Sequence, residues 1–210
     1  MERNRNSMRP VSTISIIIPA LHEAHGINTR LEALYAQFPD ETFEVIVVDG
    51  DADGTTIHQI AHPKVIKLHA AQGRGKQMNA GANSATGEIL VFLHADTRLP
   101  DNALRQVREL MADRKYVAGA FTLLFESQRA AFALIAWAAS WRYRLTRLPY
   151  GDQAFFMSRA YFHEIGGFAE IPIMEDVDMM RRIKKRGERI RILRDAVTNS
   201  PRRWEKEGIF

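Results

Sequence analysis

The chain of 210 residues has no cysteine, which excludes disulfides and thiolate metal sites and fits a reducing compartment. It has no apolar run near the roughly 18 residues that cross a bilayer; the nearest, Ala130 to Ala139, is too short. The polar, basic opening "MERNRNSMRPVS" has no signal-peptide core behind it and reads as a flexible leader over residues 1–12. No stripe of Lys/Arg with interleaved aromatics is present, so nucleic acid is not an expected partner. Internal repeats and low-complexity linkers are also lacking. The simplest organisation is one domain over 13–210, with a regular first half at 13–115 and an irregular second half at 116–210.

Apolar residues make up 46% of the chain and charged residues 26%, as in an ordinary soluble globular protein. The formal charge of +4 suits an anionic partner such as a nucleotide, a phosphate or a membrane surface. "ISIIIP" (Ile14 to Pro19) is a continuous apolar run closed by proline, the pattern of a strand buried on both faces. Ile27, Leu31, Leu34 and Phe38 then recur at helical spacing. "FEVIVVDG", "KVIKL" and "EILVFLHAD" predict three more strands, with helices at Thr55 to Ala61, Lys76 to Ser84 and Asp101 to Asp113. Such alternation predicts an α/β fold with a mostly parallel central sheet flanked by helices.

After Lys115 the rhythm changes. "YVAGAFTLLFE" predicts a longer strand, and "RAAFALIAWAASWRYRLTRL" a helix that is apolar first and basic later. "QAFFMSRAYFHEIGGF" predicts a strand and a short helix. "MEDVDMMRRIKKRG" predicts an amphipathic helix with acids in its first turn and Gly187 as its stop. "RIRIL" predicts a late strand.

Ligands of open α/β sheets sit at the carboxyl ends of the strands, so the polar residues there carry the functional signal. The stretch "ILVFLHADTRLP" (Ile89 to Pro100) runs an apolar strand directly into His94-Ala95-Asp96. A carboxylate at so apolar a place is costly without a partner, and a metal ion is one candidate. Strand one ends in Pro19-Ala20-Leu21-His22-Glu23, strand two in Asp49-Gly50-Asp51-Ala52-Asp53-Gly54, and the third leads to Gly73-Arg74-Gly75-Lys76. Together these supply carboxylates for a metal or a ribose and cations for phosphates. "GRGKQM" fails as a dinucleotide fingerprint because Met78 holds the third glycine position, and as a P-loop because Gln77 replaces Ser/Thr. "DADGT" (Asp51 to Thr55) matches the D-x-D-G-T nucleophile loop of haloacid-dehalogenase-type phosphatases, an alternative that would use Asp51.

Four segments together, "SIIIPALHEAHGI", "VIVVDGDADGT", "GRGKQMNAGANSATGEILVFLHADTRLP" and "GGFAEIPIMEDVDMMRRIKKRG", resemble the family 2 glycosyltransferases of GT-A fold. Within that family the chain resembles a bacterial subgroup of radical-SAM/selenodomain-associated transferases linked to arsenosugar biosynthesis. The resemblance implies an inverting transfer of a sugar from a nucleotide donor, a UDP-sugar, to a small-molecule or lipid acceptor, with Mn2+ or Mg2+. It implies that Pro19, Ala20, Leu21 and Glu23 hold the nucleoside and that Asp49 reads the base. Arg74 and Lys76 flank base and diphosphate, Ala95 is a further residue binding the nucleotide-sugar, and Arg203 and Trp204 lie near the diphosphate. Asp96 matches the last aspartate of the D-x-D metal motif, whose first position is His94 here. Asp176 matches the base, with Glu175 beside it; Asp152 and Gln153 are acceptor-side candidates. The aspartate loop at 49–54 is one residue shorter than the family pattern, and the family pattern continues past Trp204 into a further C-terminal helix.

The chemistry agrees with these roles. A departing nucleoside diphosphate gains negative charge, which a divalent ion can stabilise. An acceptor hydroxyl needs a general base, and the first turn of a helix favours an ionised carboxylate there. The helix carrying Trp137 and Trp141 packs on the core or lies on an anionic membrane. The expected location is therefore cytoplasmic, with peripheral contact to the inner membrane face as the alternative. A rival to turnover is a nucleotide-sugar binder that has lost activity, suggested by His94 and the short aspartate loop.

Overall fold

The computed structural model describes residues 12–125 and 153–199. Eight strands and six helices lie there. In chain order they are β1 (Ile14–Ala20), α1 (Ile27–Gln37), β2 (Phe43–Asp49), α2 (Thr55–Gln59), β3 (Val65–His69), α3 (Arg74–Ser84), β4 (Ile89–Phe92) and β5 (Thr97–Arg98). There follow α4 (Ala103–Ala112), β6 (Ala118–Phe125), β7 (Phe155–Ser158), α5 (Arg159–Glu164), α6 (Glu175–Lys185) and β8 (Ile190–Asn199). The strands form one sheet in the order β3-β2-β1-β4-β7-β6-β8-β5.

The first half is parallel throughout: β1 pairs with β2 and β4, and β2 with β3. The second half is mixed. β7 runs antiparallel to β4 and β6, while β6 and β8 are parallel. β5 pairs antiparallel with β8. The predicted α/β sheet is present, and its antiparallel part enters where the chain rhythm changes after Lys115.

Both faces of the first strands are covered, which is why their sequences are continuously apolar. Ile14, Ile16 and Ile18 of β1 and Val45 and Val47 of β2 pack with Leu31 and Leu34 of α1 and Leu104 and Val107 of α4. On the other face Ile17, Ile46, Val48 and Phe92 meet Met78 and Ala82 of α3, Phe162 of α5, and Met179 and Ile183 of α6. Phe92 is ringed by Phe155, Phe162 and Phe168, with centroids 4.9–6.3 Å away. This aromatic group anchors β4, the strand that leads to His94 and Asp96.

The strand order reverses at β1. β2 and β3 lie on one side of it and β4 on the other. A crevice opens at such a reversal, outside the carboxyl ends of the two central strands. Close approach deepens it: a Cβ on Gly75, in the first turn of α3, would stand 2.5 Å from the Ala169 carbonyl oxygen. Only glycine lets α3 come this near the loop that precedes α6.

Candidate active site

The crevice is a cavity of about 630 Å³. Its walls are Pro19, Ala20, Leu21, His22 and Glu23 after β1, His25, Gly26 and Arg30 at the start of α1, and Gln72, Gly73, Arg74 and Gln77 around the start of α3. His94, Ala95 and Asp96 after β4, and Pro172 before α6, complete it. Eight of the residues given a binding or metal role in the sequence thus line one cavity: Pro19, Ala20, Leu21, Glu23, Arg74, His94, Ala95 and Asp96.

Several contacts shape this wall. Glu23 accepts from Arg30 Nη1 at 2.6 Å, and its backbone N–H donates to Thr56 Oγ1 at 3.1 Å. The buried amide of Gln77 donates to the carbonyls of Ala20 (2.7 Å) and Val48 (2.9 Å), tying the ends of β1 and β2 to α3. Arg74 is the junction of the site. Its Nη2 lies 2.6 Å from His94 Nε2, and its Nε lies 3.1 Å from Glu175 Oε1. A guanidinium only donates, so His94 must accept at Nε2 and carry its ring proton on Nδ1. A metal at that Nε2 and the Arg74 contact therefore exclude each other.

Asp49 does not line the cavity. It is fully buried. Its Oδ2 accepts from the N–H groups of Thr56 (2.8 Å) and Ile57 (3.1 Å), and its Oδ1 from that of Asp51 (3.0 Å). The N-cap of α2 is Gly54, at φ 61 and with no side chain to cap the helix. Asp49 supplies the missing cap from the end of β2. In this structure both of its oxygens are engaged by backbone N–H groups.

Asp51 also lies off the cavity lining. Its carboxyl is held below the usual carboxylate range, chiefly by the Thr55 hydroxyl, against a smaller upward push from burial. His22, at φ 56, stands 3.6 Å from it. An aspartate committed to its own loop is poorly placed as a phosphatase nucleophile.

Lys76 is half-buried on α3 and is not part of the lining. Asp176 is buried in the first turn of α6, where Met174 precedes it in the left-handed region at φ 67. Gln153 donates to the Phe121 carbonyl at 3.0 Å. Asp152, Arg203, Trp204, the leader and the Trp137/Trp141 helix lie outside the described residues. Among the described residues no helix is long and apolar enough to cross a membrane.

Residues 15–169 match the glycosyl transferase family 2 model. The chain belongs to glycosyl transferase family 2. Among relatives of this family, it is 25% identical over 235 residues to YdaM of Bacillus subtilis (strain 168), named a probable glycosyltransferase, covering 98% of this chain and 54% of that protein. It is 32% identical over 110 residues to the dolichyl-phosphate beta-glucosyltransferase of Drosophila melanogaster, covering 44% and 34%. The chain thus spans about half or less of the length of these relatives. A solved mannosyltransferase, PcManGT from Pyrobaculum calidifontis in complex with GDP-Man and Mn2+, superposes with a TM-score of 0.69 at 24% identity, covering 89% of this chain and 56% of that one. That likeness establishes a shared GT-A-like fold.

For this family 2 domain, Arg30, Gln77, His25 and Pro172 are cavity residues that sequence reasoning missed. Arg30 sits on α1, whose apolar stripe reads as scaffold. Gln77 reads as a defect in a P-loop, although a buried polar residue on a packed helix face needs partners and is itself a signal. Pro172 comes from a distant loop. The family match ends at Ala169, so Glu175 and Asp176 lie beyond it. Among the described residues no three His, Asp or Glu side chains cluster to hold a metal unaided. One cavity carboxylate, Asp96, is nevertheless a fitting donor set for an ion that takes its remaining oxygens from substrate phosphates and water.

Proposed function

We propose that this chain transfers a glycosyl group from a nucleoside-diphosphate sugar to an acceptor hydroxyl, with inversion and with a divalent ion. The observation that carries the reading is the crevice at the β1–β4 reversal, which gathers Asp96, His94 and Arg74 on one wall. The solved neighbour's GDP-Man and Mn2+ support metal-assisted use of a nucleotide-sugar in general. The uridine form of the donor follows from the sequence resemblance, which makes GDP its first competitor to test.

Asp96 would hold the ion, which when bound supplies positive charge against the departing diphosphate. Arg74 adds a fixed cation to the same wall. Asp176 takes the proton of the acceptor hydroxyl as its oxygen bonds to the anomeric carbon. The bond from that carbon to the diphosphate oxygen breaks, and the nucleoside diphosphate leaves with the electron pair. Attack opposite the leaving group by one displacement inverts the carbon.

Calorimetric titration of UDP and GDP, with and without Mn2+, tests the donor site. Mn2+ is expected to tighten UDP binding by at least about tenfold, or ~1.4 kcal/mol, in the native chain. Asp96→Asn should abolish that gain while the fold persists. An unchanged metal effect in Asp96→Asn removes Asp96 from the metal site.

A further inference from the structure

We propose that Glu175 is a positioning residue for the donor, acting through Arg74, and does not act on the acceptor. This inference rests on the reading of the crevice as a nucleoside-diphosphate site. Glu175 is 2% exposed and is not part of the cavity lining, whereas Arg74, 39% exposed, is. The two meet at 3.1 Å between Oε1 and Nε. Neither of those buried atoms has an aligned hydrogen-bond partner. The contact is thus a charge–charge contact in a place largely closed to water. A buried carboxylate is tolerated only where a cation compensates it, and Arg74 is that cation.

The consequence for Arg74 is rigidity. Its planar fork is held on the Nε edge by Glu175 of α6 and at Nη2 by His94 after β4. The other N–H groups of the fork are those left to meet an anion in the cavity. Holding a long side chain in one place before the ligand arrives avoids the ordering cost that binding otherwise incurs. The backbones are arranged for this contact, since a Cβ on Gly75 would lie 3.6 Å from the Glu175 Cβ. Of the two adjacent acids on this helix turn, Glu175 pairs with Arg74, and Asp176 is the proposed base.

The test is a mutant cycle on the full chain, with UDP and GDP each titrated in the presence of Mn2+. Glu175→Gln should weaken the tighter-binding nucleotide roughly three- to thirty-fold, within the span of measured couplings between contacting residues. The loss should appear in donor Kd and KM more than in kcat. In an Arg74→Gln background, Glu175→Gln should change Kd by less than about twofold, because its route to the donor is gone. The double variant removes both charges and leaves none buried alone, so its melting curve compared with those of the single variants separates a folding defect from a binding defect. A Glu175→Gln variant with native donor Kd and reduced kcat overturns the inference and assigns Glu175 to the chemical step. Equal effects of Glu175→Gln in both backgrounds overturn it as well. If the native chain binds neither nucleotide, the donor reading itself fails, which is a different result from either of these.

Discussion

Replacing Asp49 by alanine separates a ligand-reading aspartate from a structural one. The carboxylate accepts from three backbone N–H groups, at 2.8, 3.0 and 3.1 Å. The Thr56 donor belongs to a fully buried residue, so water does not readily replace the lost acceptor. A buried donor left without a partner costs ~1–3 kcal/mol, and hydrogen bonds to a charged acceptor stand at the upper end. The Asp51 N–H, in the loop, can turn partly to water, so the sum stays below three full penalties. A destabilisation of ~3 kcal/mol is expected. For a domain of this size each kcal/mol moves Tm by ~2–4 °C, so Asp49→Ala should melt roughly 6–12 °C early. Loss of α2 should also loosen Thr56 and, through it, the Glu23 N–H on the cavity wall. Calorimetry of unfolding gives the first quantity, and titration with UDP, GDP and ADP gives nucleotide preference. A variant that melts with the native chain but no longer distinguishes the three nucleotides refutes the capping role and assigns Asp49 to reading the base.

Asp176→Asn should leave donor affinity nearly intact and lower transfer by ~10²–10⁴-fold, the usual contribution of a positioned base; native rates in this variant would pass the role to another group. Gly75→Ala should cost stability and donor affinity together, because its methyl would stand 2.5 Å from the Ala169 carbonyl; a native melting curve would show that the loop gives way freely. Asp51 contributes stability at neutral pH, because its folded pKa is depressed. That contribution should be lost as pH falls from the ordinary aspartate value through the folded one. Thr55→Val should raise the Asp51 pKa in an NMR titration, and an unmoved titration curve would assign the depression to another neighbour.

The order of elements in the first half was legible because its signals are local. Continuous apolar runs mark strands covered on both faces, and the 3.6-residue stripe marks α1. The polar strand ends followed from that order, and most of the cavity wall with them. Boundaries set by distant partners were not legible. β4 ends at Phe92 rather than at Asp96, because the chain turns at His94, whose carbonyl accepts from the Thr97 N–H. β5 has only two residues, defined by pairing with Thr198 and Asn199 a hundred positions later. For the same reason β8 runs on to Asn199, past the predicted Leu193.

Within the site, residue types were determined by the sequence and their duties by tertiary structure. An acid after an apolar strand is visible in the chain whether it faces a ligand or a helix end. Asp96 and Asp49 share that local pattern, yet Asp96 lines the crevice while Asp49 caps α2, because Gly54 leaves the helix without a side-chain cap. The pairing of Arg74 with Glu175 spans a hundred residues and depends on how closely α3 approaches the loop before α6. Charge and polarity are properties of a residue, but the partner that uses them is chosen by the packing of elements far apart in the chain.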